Sequence, residues 1–265
     1  MIRSALFIPC AHERAVAKAA TLACDALIFD LEDAVGAQER EAALKALSQA
    51  LQGDFVAKTV LVRIHPPSLN AIHKALSGLR LDGLVVPKVG DVEDVRALMM
   101  AWPKIPVWAM IETAAGVANL WEIAGLPLQG LIAGPNDLRK SLHTRPMPER
   151  ADILFALSQI VLFGRAHGLT VLDGVYNAFR DAAGFKDECQ QGRSLGFDGK
   201  TLIHPDQIAA CEAAFSPSEA EIVWARAIVA AFADTQAGVV TVEGEMVERL
   251  HLAQAETILG ITARS

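Results

Sequence analysis

The feature that most constrains this chain is a repeat of form. A short, almost wholly apolar segment, then a polar or Gly/Pro break, then a stretch with helical spacing of apolar residues recurs along most of its length. The apolar segments are Ser4–Pro9, Ala26–Asp30, Val60–Ile64, Gly83–Pro87, Val107–Ile111, Gly130–Ala133, Thr170–Leu172 and Thr201–Ile203. Several run apolar without alternation, as strands covered on both faces must. Helical spacing between them, as at Glu13–Leu22, Glu39–Gln52, Val92–Trp102, Val117–Ile123 and Ala151–His167, supplies an outer layer. Eight such units predict a (β/α)8 barrel. The competing doubly wound sheet lacks support, because no strand is followed by a GxGxxG-type nucleotide turn.

The pattern changes after residue 214, so the chain is read as a barrel over 1–214 and a C-terminal extension over 215–265. Ser216-Pro217-Ser218-Glu219 reads as a helix start, with Ser216 as the cap, Pro217 in the first turn and Glu219 at the capping-box position. An apolar segment at Val239–Val242, a turn at Glu243-Gly244-Glu245 and a last helical run to about Leu259 follow. The extension is expected to be too small for a core of its own and to act as a lid, over this barrel or a neighbouring subunit's.

Composition excludes several classes. A hydrophobic content of 52% rules out a disordered chain. The formal charge, 24 − 31 = −7, gives no support for nucleic acid or an anionic membrane surface as partner. No apolar run approaches the ~18 residues of a membrane span, and the first residues do not read as a secretory signal. Cys10, Cys24, Cys189 and Cys211 form no close pair and read as small buried apolar residues. A cytoplasmic enzyme is the expectation.

The charged residues favour strand ends: Asp30, Glu32 and Asp33 after the second strand, Arg63 and His65 at the third, Lys88 at the fourth, Glu112 after the fifth. Asn136 and Asp137 follow the sixth, Asp173 the seventh and His204 the eighth. In a barrel these positions converge on the C-terminal mouth, where active sites form. Glu112 and Asp137 end consecutive strands, and two hard oxygen donors without a soft one suit Mg²⁺ completed by water and substrate. The alternative for both is a helix cap or a partner for buried cations.

Three carboxylates as close as Asp30, Glu32 and Asp33 need positive charge among them. Glu32 and Asp33 are candidates to hold metal-bound water, although Asp33 can also cap a helix starting near Ala34. Arg63, in an apolar strand, needs an anion: a substrate carboxylate is favoured and the acidic strand end is the other choice. Lys88 can neutralise that same acidic end. His204 reads equally as a loop-holding residue, and Gly116 as a point of close backbone approach to a ligand.

The strings RSALFIPCAHERAVAKA, CDALIFDLEDAV, VRIHPP, GLVVPKV, MIETAAGVANLWEIA, LIAGPNDL, LDGVYNAF and LGFDGKTLIHPDQI, in this order, resemble the HpcH/HpaI aldolase and citrate lyase beta-subunit family, nearest its malyl-/citramalyl-CoA lyase branch. The resemblance implies a modified TIM (β/α)8 barrel of the phosphoenolpyruvate/pyruvate type with a C-terminal helical lid, assembled as a trimer or hexamer. It implies Mg²⁺ on Glu112 and Asp137, Arg63 on the carboxylate of the 2-oxo-acid fragment, and Glu32 and Asp33 on metal-bound water. Arg3 and Lys88 would line the site or meet the CoA portion. The family's lid motif carries an Asp as acid/base and a nearby proline; here Glu248 and Leu250 stand at those positions.

The implied reaction is cleavage of a 3-hydroxyacyl-CoA thioester, such as malyl- or citramalyl-CoA, to a 2-oxo acid (glyoxylate, pyruvate or oxaloacetate) and an acyl-CoA, with Glu248 handling a proton. Three alternatives stand beside it. One is a citrate lyase beta subunit acting on citryl-acyl carrier protein, another a class II aldolase on free 2-oxo acids. The third is a non-catalytic regulatory barrel that keeps a metal site.

Overall fold

The computed structural model describes residues 1–33, 35, 36, 38–53, 55 and 58–262. Eight parallel strands close a barrel in sequence order: β1 (Ser4–Pro9), β2 (Ala26–Asp30), β3 (Thr59–Arg63), β4 (Gly83–Val86), β5 (Val107–Ile111), β6 (Gly130–Ala133), β7 (Thr170–Asp173) and β8 (Gly199–Leu202). Strand β1 pairs with both β2 and β8, which removes every edge. Each predicted apolar segment forms its strand, within one or two residues at the ends.

The helices that follow are α1 (Glu13–Lys18), α2 (Arg40–Ala50), α3 (Leu69–Leu76), α4 (Val92–Ala101), α5 (Ala114–Ala118) and α6 (Leu120–Ala124). The barrel's later helices are α7 (Pro135–Leu142), α8 (Leu154–Ala166), α9 (Ala182–Leu195) and α10 (Ile208–Phe215). The expected helix over Val117–Ile123 is two short ones. The helix that follows among the described residues begins at Arg40, with Glu39 and not Asp33 at its cap position; the start foreseen near Ala34 lies outside the described residues.

Strand alternation sorts the barrel. Ala5, Ala26, Ile28, Leu61, Val85, Trp108, Met110, Ile132 and Leu172 form one buried cluster. They occupy one parity of their strands, the parity that points inward. Continued to the C-terminal ends, that parity names Asp30, Arg63, Glu112 and Gly134 as inward positions at the mouth. Asp173 follows Leu172 and has the opposite parity.

The chain divides into two compact units, Ile2–Glu212 and a second beginning at Ala213. In the second, α11 (Glu219–Phe232) and α12 (Arg249–Thr262) flank a hairpin of β9 (Val239–Val242) and β10 (Glu245–Glu248). Glu243 and Gly244 both have positive φ, 50° and 88°, the conformation of a type I′ turn. Contrary to expectation, this unit has a small apolar cluster of its own, built on Ala225, Ile228, Phe232, Val247 and Ala255. The helix start also differs. Ser218 is the cap, its Oγ accepting from the Glu221 N–H at 3.2 Å while its own N–H donates to Glu221 Oε2 at 2.7 Å. The segment holds two overlapping Ser-x-x-Glu boxes, and the later one forms.

Candidate active site

The inward residues at the mouth line one cavity of about 330 Å³. Its polar wall includes Asp30, Asp33, Arg63, Glu112, Asn136 and Asp137; Phe7, Met110, Val175 and Ile203 contribute the apolar one. Arg63 reaches Asp30 in a two-pronged contact, Nε to Oδ1 and Nη2 to Oδ2, both at 2.7 Å. Its Nη1 lies 3.3 Å from Glu32 and 3.3 Å from Asp33, and the Phe7 ring lies 4.9 Å from the guanidinium carbon. Burial opposes the charge on Arg63, but the bond to Asp30 outweighs it and holds the guanidinium more basic than usual. The partner seen is therefore the acidic strand end, with Nη1 the arm nearest Glu32 and Asp33.

Lys88 completes the neutralisation. Its Nζ donates to Glu32 and, at 2.9 Å, to Asp33. Burial raises the affinity of Glu32 for its proton despite the cations beside it. Burial also works to raise Asp33, yet Lys88 and Glu32 hydrogen bonds and the Arg63 charge hold it below the ordinary range. Two neighbouring carboxylates are thus pushed apart in acidity, the usual means of giving them separate roles. Glu32 Oε2 is sealed from solvent without a hydrogen bond, although Arg63 stands 3.3 Å away.

Glu112 is buried at the end of β5 and accepts the Lys88 backbone N–H on Oε1 at 2.7 Å. Burial, joined by the Asp137 charge, pushes its carboxyl up to about 7. A Cβ on Gly134 would lie 2.3 Å from Glu112 Oε2, so the absence of a side chain there leaves the oxygen its space. Asp137 enters from the first turn of α7, after Pro135 at the helix start, and lines the same cavity. Among the described residues no group of three or more His, Cys, Asp or Glu is arranged to hold a metal. The donor set fits a hard divalent cation such as Mg²⁺, with two protein carboxylates and the remaining ligands from water and substrate. The weakened acidity of Glu112 fits as well: a carboxylate costly to ionise alone is relieved by a cation beside it.

Several expectations need correction. Arg3 does not join the site. It precedes β1, as Asp25 precedes β2, so parallel strands place both at the barrel end opposite the mouth, where Arg3 Nε meets Asp25 Oδ2 at 2.9 Å. Asp173 turns outward, into a buried network with Arg150 at 2.7 Å and Lys200 at 2.9 Å. Gly116 gives way to backbone and not to ligand, since its Cβ would lie 2.2 Å from Val89 O. His204 Nδ1 accepts from the Asp206 N–H at 3.2 Å and its ring stacks on Phe179, which is the loop-holding alternative. Glu248 ends β10 and its N–H donates to His251 Nδ1 at 2.9 Å. Asn177, which exchanges hydrogen bonds with Asn136, was not singled out in the sequence, where it is an uncharged residue in the loop after β7.

Comparison with known proteins bears on this geometry. Residues 3–205 match the model of the HpcH/HpaI aldolase/citrate lyase family, and residues 151–263 match that of a C–C bond lyase of the TIM-barrel fold. The chain is 44% identical to a (3S)-malyl-CoA thioesterase of Cereibacter sphaeroides, over 97% of this chain and 93% of the relative. It is 31% identical to the human mitochondrial citramalyl-CoA lyase, over 96% and 83%. The crystal structure of CitE from Mycobacterium tuberculosis with magnesium, acetoacetate and coenzyme A superposes with a TM-score of 0.85 at 31% identity, over 98% of each chain. Among the described residues no helix is long and apolar enough to cross a membrane.

Proposed function

Because the chain belongs to the HpcH/HpaI aldolase/citrate lyase family, we propose that it breaks the carbon–carbon bond of a malyl- or citramalyl-type 3-hydroxyacyl-CoA thioester, giving a 2-oxo acid and an acyl-CoA. The observation that carries this reading is the meeting of Glu112, Asp137 and Arg63 at one cavity. A substrate whose hydroxyl and carboxylate share one carbon offers two adjacent hard oxygens to a cation and a negative charge to a guanidinium. Glu112 and Asp137 would hold Mg²⁺, which supplies Lewis acidity toward those oxygens.

The protein's own groups do the rest. Arg63, fixed by Asp30 through Nε and Nη2, is the guanidinium that lines the cavity and would orient the substrate carboxylate. Glu32 and Asp33, kept apart in acidity, would hold water where the cation binds. The hydroxyl gives its proton to the acidic strand end around Glu32, and its oxygen closes the carbonyl of a departing 2-oxo acid. The bond between the hydroxyl-bearing carbon and the thioester α-carbon breaks, and its electrons pass to the α-carbon. Glu248 donates a proton to that α-carbon, supplied from a neighbouring copy of the chain in a homo-oligomer, for which a trimer is our preference. Lys88 holds the acidic end and faces the CoA side.

A second reading is hydrolysis of the same thioester, with water attacking the thioester carbonyl and the thiol leaving. The 44% identity to a thioesterase favours it, as do Glu248 and Leu250 where the family's lyases carry Asp and Pro. One assay separates the two. Malyl-, citramalyl- and citryl-CoA are incubated with Mg²⁺ or with chelator, and both 2-oxo acid and free thiol are followed. Metal-dependent 2-oxo acid without thiol supports cleavage. Thiol without 2-oxo acid supports hydrolysis, and neither product from any substrate overturns both.

A further inference from the structure

The helix that brings Asp137 to the mouth is gripped from two sides by residues outside the cavity. At its start, the end of β7 lies against it: a Cβ on Gly174 would fall 2.0 Å from Pro135 Cδ and 2.6 Å from Ala133 O. Behind it stands Arg139, two residues beyond Asp137 and so about 200° further round the helix, on the side away from the carboxylate. Arg139 Nε donates to Asp152 Oδ2 at 2.7 Å, and Asp152 Oδ1 accepts the Met147 N–H at 3.1 Å.

The two grips are joined. Arg150, two residues before Asp152, donates through Nη1 to both oxygens of Asp173, at 2.7 and 2.9 Å, and through Nε to Gln191 Oε1 at 2.7 Å. Asp173 in turn accepts the Gly174 N–H at 2.8 Å. The contacts close a ring: from α7 through Arg139 to Asp152, along the chain to Arg150, across to Asp173 and Gly174, and back onto Pro135. Two features mark this ring as more than packing. Glu149 and Arg150 are consecutive residues with φ at 55°, a costly backbone for side chains with a Cβ, which persists only where the surroundings over-determine it. A buried ion pair such as Arg150–Asp173 is often no more stabilising than apolar residues of the same volume, whereas its directional bonds admit one arrangement.

We propose that Arg139, Asp152 and Arg150 are positioning residues for Asp137: they brace α7 against β7 and so set where its carboxylate meets a cation. This rests on the reading of Asp137 as a Mg²⁺ ligand given above. None of the three is among the residues that line the cavity, so they act through the helix and not by contact. Their role has a sign that charge alone does not give. Removing a positive side chain near a metal site lowers repulsion and should tighten metal binding. Removing either arginine of the brace should instead weaken it, because Asp137 is no longer held.

The test titrates Mn²⁺, read by electron paramagnetic resonance, into the metal-free full-length protein, and follows amide hydrogen exchange on the same samples by NMR. The variants are Arg139→Gln, Arg139→Lys and Arg150→Gln, with Asp137→Asn as the control. Arg139 is the gentler site, its side chain 20% exposed against 5% for Arg150, and every titration is run below the onset of melting. Mn²⁺ should bind Arg139→Gln and Arg150→Gln about tenfold more weakly than the wild type, with Arg139→Lys between. Exchange should quicken at Leu138, whose N–H donates to Gly134 O at 3.0 Å, while the strands keep wild-type protection. Affinity in Arg139→Gln equal to the wild type or tighter overturns the proposal whatever the melting temperature, as does unchanged exchange at Leu138. Wild-type affinity in Arg150→Gln removes Arg150 from the brace. A wild type that binds no Mn²⁺, or Asp137→Asn binding it as tightly, sinks the metal reading instead. Quickened exchange in the arginine variants would then keep the brace without its ligand, and unchanged exchange would remove both.

Discussion

Lys88 donates its backbone N–H to Glu112 Oε1 at 2.7 Å from a left-handed backbone, with φ at 52°. That conformation is sterically costly for any residue with a Cβ, and it persists where the surroundings repay it. Here the repayment is double. The amide fixes a metal-ligand candidate at the end of β5, while the side chain crosses to Glu32 and Asp33 after β2. One residue thus ties both acidic groups of the mouth to β4.

Replacing Lys88 separates its two tasks. Lys88→Ala keeps the amide but loses the cation, and Lys88→Gly loses the same cation while removing the left-handed strain. The glycine variant should therefore be more stable than the alanine variant by about 1 kcal/mol, the reverse of the ordinary ranking. The lost ion pairs add only about 1 kcal/mol to both, because the Lys88 side chain is 42% exposed. Urea unfolding of the two variants measures the difference. Equal stability, or alanine the more stable, would show that the backbone at this position is unstrained.

The Glu112 carboxyl, pushed up to about 7 by burial, gives the metal-free protein a specific pH dependence. In the unfolded chain the group titrates near its ordinary value of 4.5. Between those two values the native state holds a proton that the unfolded state has released, so unfolding free energy falls as pH rises through this window and is level above it. The penalty at pH 8 is on the order of 3 kcal/mol at most. Glu112→Gln escapes it. In chelator, the variant should gain on the wild type between pH 5 and pH 8 while losing Mg²⁺-dependent turnover. A stability difference that does not change with pH would place Glu112 in a less restrictive setting than the structure gives it.

Gly134 should accept no side chain. Its Cβ would lie 2.3 Å from Glu112 Oε2 and 2.4 Å from Glu112 Cβ, far inside contact distance. Since the barrel wall cannot retreat, Glu112 must move, and a displacement on the order of 1 Å costs roughly 100-fold in rate. Gly134→Ala is expected to fold and to lose turnover by that factor, with Mg²⁺ affinity falling in parallel. Full activity would separate Glu112 from the chemistry.

How much of this was legible in the sequence depends on which rule each residue obeys. Asp30, Arg63 and Glu112 sit at the C-terminal ends of strands and on the inward parity, so both signals agree. Asp173 shares the strand-end position but follows the inward Leu172, and parity turns it into the helix layer. Arg3 was misplaced because family likeness does not say which end of a strand a residue occupies. The left-handed Lys88 and the empty space at Gly134 are three-dimensional facts, invisible to any pattern of apolar and polar letters. Nor does an S-x-x-E box choose between two overlapping copies; the capping of α11 at Ser218 shows this.

The outward-turned network makes the last prediction. Asp173 is fully buried and accepts from Arg150 Nη1 at 2.7 Å, Lys200 Nζ at 2.9 Å and the Gly174 N–H at 2.8 Å. Burial works to neutralise it, but Lys200 and Arg150 hold it ionised, below the ordinary range. Asp173→Ala would leave two buried cations with Glu188 as their remaining acid, 2.7 Å from Lys200 but 3.9 Å from Arg150. Breaking one side of such a set costs about 3–5 kcal/mol, which for a chain of this size lowers the melting temperature by on the order of 10 °C. The double change Asp173→Leu with Lys200→Met should recover part of that loss, because it removes a buried cation along with its counter-charge. Thermal unfolding of the single and double variants decides it: a double variant less stable than Asp173→Ala would mean that the network is worth more as charge than as volume.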